Sequence, residues 1–363
     1  MADTPRTPLK RPRDDTERMS PSELHSPLKT SPLKTSPLKT SPFKTSPLKL
    51  FPKLSISSSV NPEDQIDEYI RRFNMPLKMS TPANIVKTIK LTYGFMNKIN
   101  NDLKMGTAII ERDDPITSQI DTMDFTAIEP ITEKTQNSYL DTNPVHFDTQ
   151  ILQNEANNVI LKKYILEHYN YADVYLIALH EITMQSLCSY LKSNANVSSF
   201  SQVIIPKIYK VTKETNGTTS FINIYMEKLI AIPKKTVKTN IQSFYDTFNT
   251  IITGFFQFLE TRGIHHLDTK YQNVFFINYN RQDAVAVIDF GTARVYPVDH
   301  RLPGADDGYY PDMTITDFSN WIAGKTQTRV RTFGGPKTKK KKHKNSKSNK
   351  RKSHKRKSNK RKY

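Results

Sequence analysis

Two short stretches of this chain carry the residue types that phosphoryl transfer requires. Residues 263–274 include Asp268, Lys270 and Asn273, and Asp289 follows sixteen positions after Asn273. Transfer from a metal-bound nucleoside triphosphate needs a carboxylate to orient and deprotonate the attacking hydroxyl, a cation on the transferred phosphate, and oxygen ligands for Mg²⁺. Asp268 is therefore the candidate base, Lys270 the candidate phosphate-facing cation, and Asn273 and Asp289 the candidate metal ligands.

The spacing of these residues resembles the catalytic loop and metal-binding turn of protein kinases. The chain reads H-x-D-x-K-x-x-N from His266 to Asn273 and I-D-F-G from Ile288 to Gly291. An eight-position match can arise by chance, but a second motif at a workable distance argues against coincidence. The resemblance implies an ATP- and Mg²⁺-dependent Ser/Thr-type protein kinase of α+β, bilobal fold, with a small β-rich N-terminal lobe and a helical C-terminal lobe.

Protein kinases also hold the triphosphate with a strand lysine that pairs with a glutamate on the following helix. Val159–Lys162 resembles the V-A-I-K strand of the family. Glu181 lies nineteen residues beyond Lys162, within a predicted helix. The resemblance assigns Lys162 and Glu181 to ATP binding. Lys163 and Glu155 are the alternatives, since a one-residue slip along a strand reverses which side chain faces the cleft.

The segment Ile224–Leu229 resembles the last strand of the N-terminal lobe as it enters the hinge between the lobes. By this resemblance Met226 lies behind the adenine pocket, and the backbone from Glu227 to Leu229 pairs with the adenine edge. An ordinary core methionine at a strand end is the alternative interpretation of Met226.

Hydrophobic patterning predicts the elements that must position these residues. Strands are expected at 125–128, 145–147 and 158–162, a helix from about Ala172 to Lys192, and a β-hairpin around Asn216–Gly217. Apolar residues from Ile241 to Leu259 recur at helical spacing and predict a long helix that ends by Gly263. Upstream, residues 61–105 also have helical periodicity. We therefore expect a helical extension at 61–120 and a kinase-like domain at 121–335.

Several features depart from the protein-kinase pattern. No G-x-G-x-x-G occurs, and the loop expected to cover the phosphates, Thr132–Tyr139, contains no glycine. Glycine there lets backbone amides approach phosphate closely, so its absence predicts weakened nucleotide binding. Leu267 replaces the arginine that usually reads an activation-loop phosphate, and we expect no such switch.

The sequence beyond Asp289 is short for a kinase C-terminal lobe. No A-P-E motif occurs; Tyr310–Asp312 is its candidate remnant, and Asp317 is the candidate buried aspartate of the next helix. This truncation leaves two alternatives: a pseudokinase scaffold tethered to nucleic acid, and a small-molecule phosphotransferase of the aminoglycoside or choline kind. The latter enzymes commonly carry histidine where Lys270 stands, which favours the protein-kinase branch.

Residues 1–60 form a proline-rich arm in which S-P-L-K-T repeats from Ser26 to Leu50. Proline every five residues interrupts helix and ladder hydrogen bonds, and the arm has too little apolar surface to fold, so we predict disorder. Each repeat resembles the consensus substrate of a proline-directed kinase, and a plain basic spacer is the alternative. The candidate phosphoacceptors are Thr7, Ser26, Ser31, Ser36, Ser41 and Ser46.

Residues 336–363 form a second appendage, rich in Lys and Arg. Residues 337–363 contribute 16 positive charges to the formal net charge of +19 and contain no Asp or Glu. Such a tail is predicted to be disordered and to bind nucleic acid or another polyanion by counterion release. Nuclear import is a competing use of the same charge, with Lys10–Arg13 as a second candidate signal. The combination resembles proteins of large double-stranded DNA viruses.

Composition also predicts the compartment. The single cysteine, Cys188, excludes an intramolecular disulfide and is typical of a reducing compartment. The polar, proline-rich residues after Met1 do not form a secretory signal, and no apolar run is long enough to span a bilayer. We expect an intracellular protein without a membrane partner, located in the nucleus or, if viral, in the virion or virus factory.

Overall fold

The computed structural model describes residues 61–75, 77–141, 143–295 and 313–324, which form a mixed α+β structure. The S-P-L-K-T arm, Tyr310–Asp312 and the basic tail lie outside the described residues. No helix in the described ranges is both long enough and apolar enough to cross a membrane. In chain order the elements are α1 (Pro62–Arg72), α2 (Ala83–Lys104), β1 (Thr107–Ile109), α3 (Pro115–Gln119), β2 (Thr126–Ala127), β3 (Thr132–Asn137), β4 (Pro144–Asn154), β5 (Val159–Leu166), α4 (Tyr171–Ser193), β6 (Val203–Ile204), β7 (Ile208–Asn216), β8 (Thr219–Glu227), α5 (Lys234–Thr239), α6 (Ile241–Glu260), β9 (Ile264–His265), β10 (Val274–Tyr279), β11 (Gln282–Val287), β12 (Arg294–Val295) and α7 (Ile315–Ile322).

Seven strands form the main sheet, in the order β1-β7-β8-β5-β4-β2, with β3 also paired to β4. β7 and β8 form the hairpin predicted at Asn216–Gly217, where Gly217 has a φ of 61° that a residue without a Cβ adopts readily. β5 lies inside the sheet, and its Lys162 pairs in register with Ile151 on β4 and Ile224 on β8. Because both neighbouring positions are occupied by paired strands, the Lys162 side chain contacts its partners on the one face of the sheet to which it points.

α4 packs across this sheet and is buried along most of its length. Every residue from Val174 to Gln185 is buried. A helix that packs against a single surface keeps a polar face towards water, so α4 must be covered on more than one side. α1 and α2 supply the second cover, because Ile66, Met96 and Ile99 share one buried cluster with residues of α4 and the sheet.

The helices expected over residues 61–105 are present as α1 and α2. The Asn61 side chain caps α1 by accepting a hydrogen bond from the Glu63 amide at 3.1 Å, and Pro62 occupies the first turn. The extension is not wholly helical, however, because Thr107–Ile109 forms β1 and pairs antiparallel with β7. The boundary expected between residues 120 and 121 therefore divides one continuous sheet.

A second core is built around α6, whose apolar face was predicted from the sequence. Phe244 and Phe248 of α6 pack against Phe276 of β10 and Phe318 of α7, with ring centres 4.7 Å apart for Phe244–Phe276 and 5.3 Å for Phe248–Phe318. β10 and β11 form a hairpin, and β6 pairs with β11 in parallel. This core carries the loop between β9 and β10 and, directly after β11, Asp289.

Two expectations from the sequence are wrong. Residues Thr132–Asn137 form strand β3, so the segment that joins β3 to β4 begins at Ser138 instead of spanning Thr132–Tyr139. The strand reads T-E-K-T-Q-N, and a strand without apolar residues has no hydrophobic pattern to reveal it. Asp317 is not a buried aspartate. It is the third residue of α7, where its carboxylate accepts a hydrogen bond from the Thr314 amide at 3.1 Å and completes a capping box.

Candidate active site

Four elements bring the sequence-predicted residues together. β5 carries Lys162, α4 carries Glu181, the segment between β9 and β10 carries residues 268–273, and the turn after β11 carries Asp289. The Ile288 amide donates to the carbonyl of Asn273 at 2.8 Å. The two motifs recognised in the sequence are thus joined directly through the backbone.

Lys162 and Glu181 form a buried ion pair. The Lys162 Nζ lies 2.8 and 2.7 Å from the two Glu181 carboxylate oxygens and 3.5 Å from Asp289 Oδ1. The Glu181 side chain is only 3% exposed and that of Lys162 18%. Either charge alone would be costly to bury. Tyr164, two residues along β5, is a second donor to Glu181, through its hydroxyl.

These contacts determine the protonation states of Lys162 and Asp289. Burial alone would lower the pKa of the Lys162 ammonium, but the charges of Glu181, first of all, and of Asp289 outweigh it and hold that pKa well above its usual range. The Lys162 charge in turn lowers the pKa of the Asp289 carboxyl. Lys162 is therefore cationic and Asp289 anionic at neutral pH.

The alternatives to this pair lie elsewhere. Lys163 Nζ lies 3.9 Å from the ring centre of Phe221, and its side chain points to the opposite face of the sheet from that of Lys162. Glu155 lies after β4, with its carboxylate 3.9 Å from Lys228 Nζ. The lysine and glutamate that meet are thus Lys162 and Glu181.

Asp268 is held by two neighbours in its own loop. Lys270 Nζ and Asn273 Nδ2 each donate to Asp268 Oδ2 at 2.8 Å, and Asn273 Nδ2 also donates to the Asp268 carbonyl at 3.0 Å. Because both donors use Oδ2, the other carboxylate oxygen is left to accept a hydrogen bond from a bound hydroxyl. The Lys270 side chain is 49% exposed, so it can rotate towards a ligand.

The backbone of this loop is strained and braced from outside. Leu267 is buried with a φ of 64°, in the left-handed region that costs a residue with a side chain about 1–2 kcal/mol. Such a conformation persists only where the surroundings enforce it. Here Trp321 Nε1 donates to the carbonyl of Thr269 and Thr292 Oγ1 to that of His266, each at 3.0 Å.

His266 connects the loop to the turn that contains Asp289. Its Nε2–H donates to the Ile288 carbonyl at 3.0 Å, and its ring centre lies 4.8 Å from that of Phe290. Burial lowers the pKa of His266. The ring is therefore neutral at neutral pH and serves as a packed brace between the two motifs.

Asn273 and Asp289 offer oxygen donors that fit Mg²⁺. Asn273 uses its side-chain nitrogen on Asp268, which leaves its oxygen for a ligand, and the Asp289 side chain is 43% exposed. Mg²⁺ in nucleotide sites is commonly held by one or two protein oxygens, with phosphates and waters completing the octahedron. Within the described ranges no group of three or more His, Cys, Asp or Glu residues could hold a metal ion. Asn273 and Asp289 would supply the one or two protein oxygens of a site of the nucleotide-bound kind.

The turn after Asp289 closes against Glu181. A Cβ at Gly291 would lie 3.2 Å from a Glu181 carboxylate oxygen, so the absence of a side chain lets the carboxylate approach. The Gly291 carbonyl accepts hydrogen bonds from Gln136 Nε2 at 3.1 Å and Tyr139 Oη at 3.2 Å. Strand β3, through Gln136, and the glycine-free segment after it, through Tyr139, are thus both attached to the turn by side chains.

α4 is attached to the same turn through His180. The Nε2–H of His180 donates to the Ala293 carbonyl at 2.7 Å, and the His180 and Tyr139 ring centres lie 4.8 Å apart. Burial, together with the nearby Arg294 charge, lowers the pKa of His180 to about 3. A neutral histidine therefore links α4 to the segment that follows Gly291.

The proposed hinge residues lie at the end of β8. Met226 is partly buried against the cluster that contains α4. The amides of Glu227 and Lys228 donate to backbone carbonyls at 2.9 and 2.8 Å, which leaves the Leu229 amide as the N–H of this segment that can donate to a ligand. The Glu227 carboxylate accepts a hydrogen bond from Tyr279 Oη at 3.0 Å and so joins the hinge to β10.

Sequence analysis missed the residues that support the ion pair from outside the motifs. Tyr164 could have been found, because residues two apart on a strand point to the same face. Gln136, Tyr139 and His180 reach the Asp289 turn only through long-range contacts, and no local pattern indicates them. For His180, the sequence offers only an indirect indication. The run of apolar residues on all sides of α4 indicates a helix that is covered on more than one side, without indicating which segments cover it.

No model of a known protein family matches this chain, and a search of curated proteins finds no match.

Proposed function

We propose that this protein is a divergent Ser/Thr-type protein kinase that transfers the γ-phosphoryl group of ATP to hydroxyl groups of protein substrates. The observation that carries the proposal is the meeting of Lys162, Glu181 and Asp289, which come from three separate elements. Lys162 Nζ lies 2.7 Å from Glu181 and 3.5 Å from Asp289. A largely buried lysine held between two carboxylates is costly in a purely structural role, and protein kinases use a lysine–glutamate pair of this kind to bind the triphosphate.

Each residue has a role that follows from its contacts. Asp268 presents a carboxylate oxygen to the acceptor hydroxyl and takes its proton as the new O–P bond forms and the bond to the ADP oxygen breaks. Lys270 is exposed enough to leave Asp268 and to neutralise charge on the transferred group. Lys162, oriented by Glu181, binds the phosphates that remain with ADP.

Asn273 and Asp289 would hold Mg²⁺ in this proposal. When bound, the metal supplies positive charge to the triphosphate. Asn273 has a second task, since its amide nitrogen keeps Asp268 in place while its oxygen is free for a ligand. The hinge amide of Leu229 would donate to the adenine edge, with Met226 behind the base and Glu227 fixed to β10.

The bilobal kinase fold belongs to this proposal. The sheet with α4 corresponds to the small N-terminal lobe, and α6 with the β10–β11 hairpin to a shortened C-terminal lobe. A lysine at position 270, instead of the histidine usual in small-molecule phosphotransferases, favours a protein substrate. The glycine-free segment held by Tyr139 favours the second candidate, a pseudokinase scaffold that is tethered to nucleic acid by its basic tail and transfers no phosphate.

A labelling experiment tests the proposal. The full chain is incubated with Mg²⁺, ATP labelled at the γ-phosphate and a mixed protein substrate, with an aminoglycoside and choline as separate acceptors. Asp268→Asn and Asp289→Asn are compared with Asp283→Asn, an exposed aspartate at the start of β11 that serves as a matched control.

Label in protein with the wild type and Asp283→Asn, but with neither site variant, would support the kinase. Label in a small molecule alone would favour the phosphotransferase. An ATP-dependent rise in melting temperature without transfer would favour the pseudokinase. If the protein shows no transfer and also no thermal shift with ATP, nucleotide chemistry at this site is refuted.

A further inference from the structure

α4 presents Glu181 to Lys162, so the position of this helix decides whether the ion pair forms. Glu181 lies within the run of residues 174–185, all of which are buried. On one side the helix meets the sheet that carries Lys162. Helices α1 and α2 cover the other side of α4, which would be exposed to solvent without them.

The cover is a continuous apolar interface. Ile66 of α1 and Met96 and Ile99 of α2 are at most 2% exposed and belong to the same buried cluster as Leu179 and Ile182 of α4. Burial of apolar side chains of this size stabilises the packed arrangement because it removes apolar surface from water. Displacing α4 would expose both surfaces of this interface.

A chain of polar contacts, buried at Tyr175 and Asn100 and reaching the surface at Asp67, crosses the same interface. Tyr175 of α4 donates its hydroxyl to Asn100 Oδ1 at 3.0 Å, and Asn100 Nδ2 donates to Asp67 Oδ1 on α1 at 3.3 Å. Lys104 Nζ then lies 2.8 Å from Asp67. Because Tyr175 and Asn100 are both buried, sliding α4 along α2 would leave their polar atoms without partners, which is costly.

The extension is also fixed to the sheet. β1 follows directly after α2 and pairs with β7, and the Lys213 amide donates to the carbonyl of Gly106 between them at 2.8 Å. α2 is therefore anchored to the same sheet that carries Lys162. The helix α4 is enclosed between the sheet and a segment that is itself part of the sheet.

We propose that residues 61–110 are a built-in clamp that fixes α4 where Glu181 meets Lys162, with Ile99 and Asn100 as positioning residues for the pair. The catalytic consequence of the clamp rests on the proposed kinase function, but its structural effect does not. The clamp holds the ion pair together in the protein without nucleotide and without a partner protein.

Hydrogen exchange of the full-length protein without nucleotide tests the clamp. Ile99→Ala creates a cavity on the clamp side of α4, and Ile252→Ala removes the same side chain from an equally buried site in α6. We expect the amides of residues 178–184 to exchange at least about tenfold faster in Ile99→Ala than in Ile252→Ala, because cavity formation weakens the local packing. Ile99→Val, which retains most of the side chain, should restore slow exchange.

Two further measurements also test whether the clamp positions α4. Tyr175→Phe, a milder change that removes only the hydroxyl bonded to Asn100, should also accelerate exchange in α4. Tyr279→Phe, which removes the β10 hydroxyl bonded to Glu227, should not. If transfer activity is found, Ile99→Ala should lower kcat and raise the KM for ATP together, and Ile99→Val should recover both.

Equal exchange of residues 178–184 in Ile99→Ala and Ile252→Ala would overturn the clamp. If Ile99→Ala does not fold, unchanged α4 exchange in Tyr175→Phe would overturn it instead. Failure of the proposed function gives a different result, because a protein that never binds ATP can still show the exchange pattern.

Discussion

Removing Lys162 and Glu181 separately and together should distinguish a functional ion pair from a structural one. Lys162→Met leaves the Glu181 carboxylate 3% exposed, with the Tyr164 hydroxyl as its remaining donor among the described contacts. Glu181→Gln removes the negative charge but keeps an oxygen for Tyr164. The double variant contains neither charge.

The contacts of the ion pair determine how much each substitution should lower the free energy of unfolding. Lys162→Met should lower the free energy of unfolding by about 3–5 kcal/mol, since one partner of a buried pair is left uncompensated. Glu181→Gln should cost less, about 1–3 kcal/mol, because Asp289 lies 3.5 Å from Lys162 and remains as a partner. In the double variant the two costs should not add, and the coupling between them should be about 2 kcal/mol or more.

Urea unfolding of the four proteins measures the coupling, and Lys163→Met is the matched control. Lys163 is the next residue on β5 and contacts the ring of Phe221, so its removal should cost no more than about 1 kcal/mol. All three site variants should lose phosphoryl transfer, including the double variant that regains stability. Strict additivity, or a Lys162→Met cost no larger than that of Lys163→Met, would refute the argument that the pair is mutually dependent.

Three further changes have expected outcomes. Asn273→Ala removes the donor that holds Asp268, so kcat should fall by about 100-fold or more in single-turnover assays, and an unchanged rate would contradict the assigned role. Trp321→Phe removes the donor to the Thr269 carbonyl, which should cost about 1 kcal/mol in urea unfolding and lower kcat more than it changes the KM for ATP. The pKa of His180 is lowered from 6.5 to about 3, so its contribution to stability is present above pH 6.5 and is lost as the pH falls towards 3. Between about pH 7 and 5.5 the wild type should therefore lose about 1.3 kcal/mol more stability than His180→Gln, and equal losses would show that His180 is not buried as a neutral ring.

Sequence patterns predicted the parts of this structure that depend on local order. The bounds of α4 and α6 and the β7–β8 hairpin follow from apolar periodicity and from Asn216–Gly217, and each is present in the structure. The pairing of Lys162 with Glu181 could be predicted because a known motif fixes their order along the chain. Periodicity alone would not have chosen between Lys162 and Lys163, which differ only in the face of the strand they occupy.

The parts that could not be predicted depend on contacts between distant segments. β1 has three residues, too few for an alternating pattern, and only its partner β7 defines it as a strand. β3 has no apolar residue, so its position was assigned to a loop. Tyr139 and His180 contact the Asp289 turn from segments far away in the sequence, so no local pattern around either residue predicts the contact.

The enclosure of α4 between the sheet and α2 has a consequence for synthesis. On a ribosome, α2 emerges before α4, and the last residue of α4, Ser193, is added 89 residues after the last residue of α2, Lys104 (193 − 104). At about 5–20 residues per second, the apolar face of α2 would wait roughly 4–18 s for the helix it covers. During that interval Met96, Ile99 and Leu103 have no native partner on α4, so the apolar face of α2 is exposed to binding by chaperones or other chains.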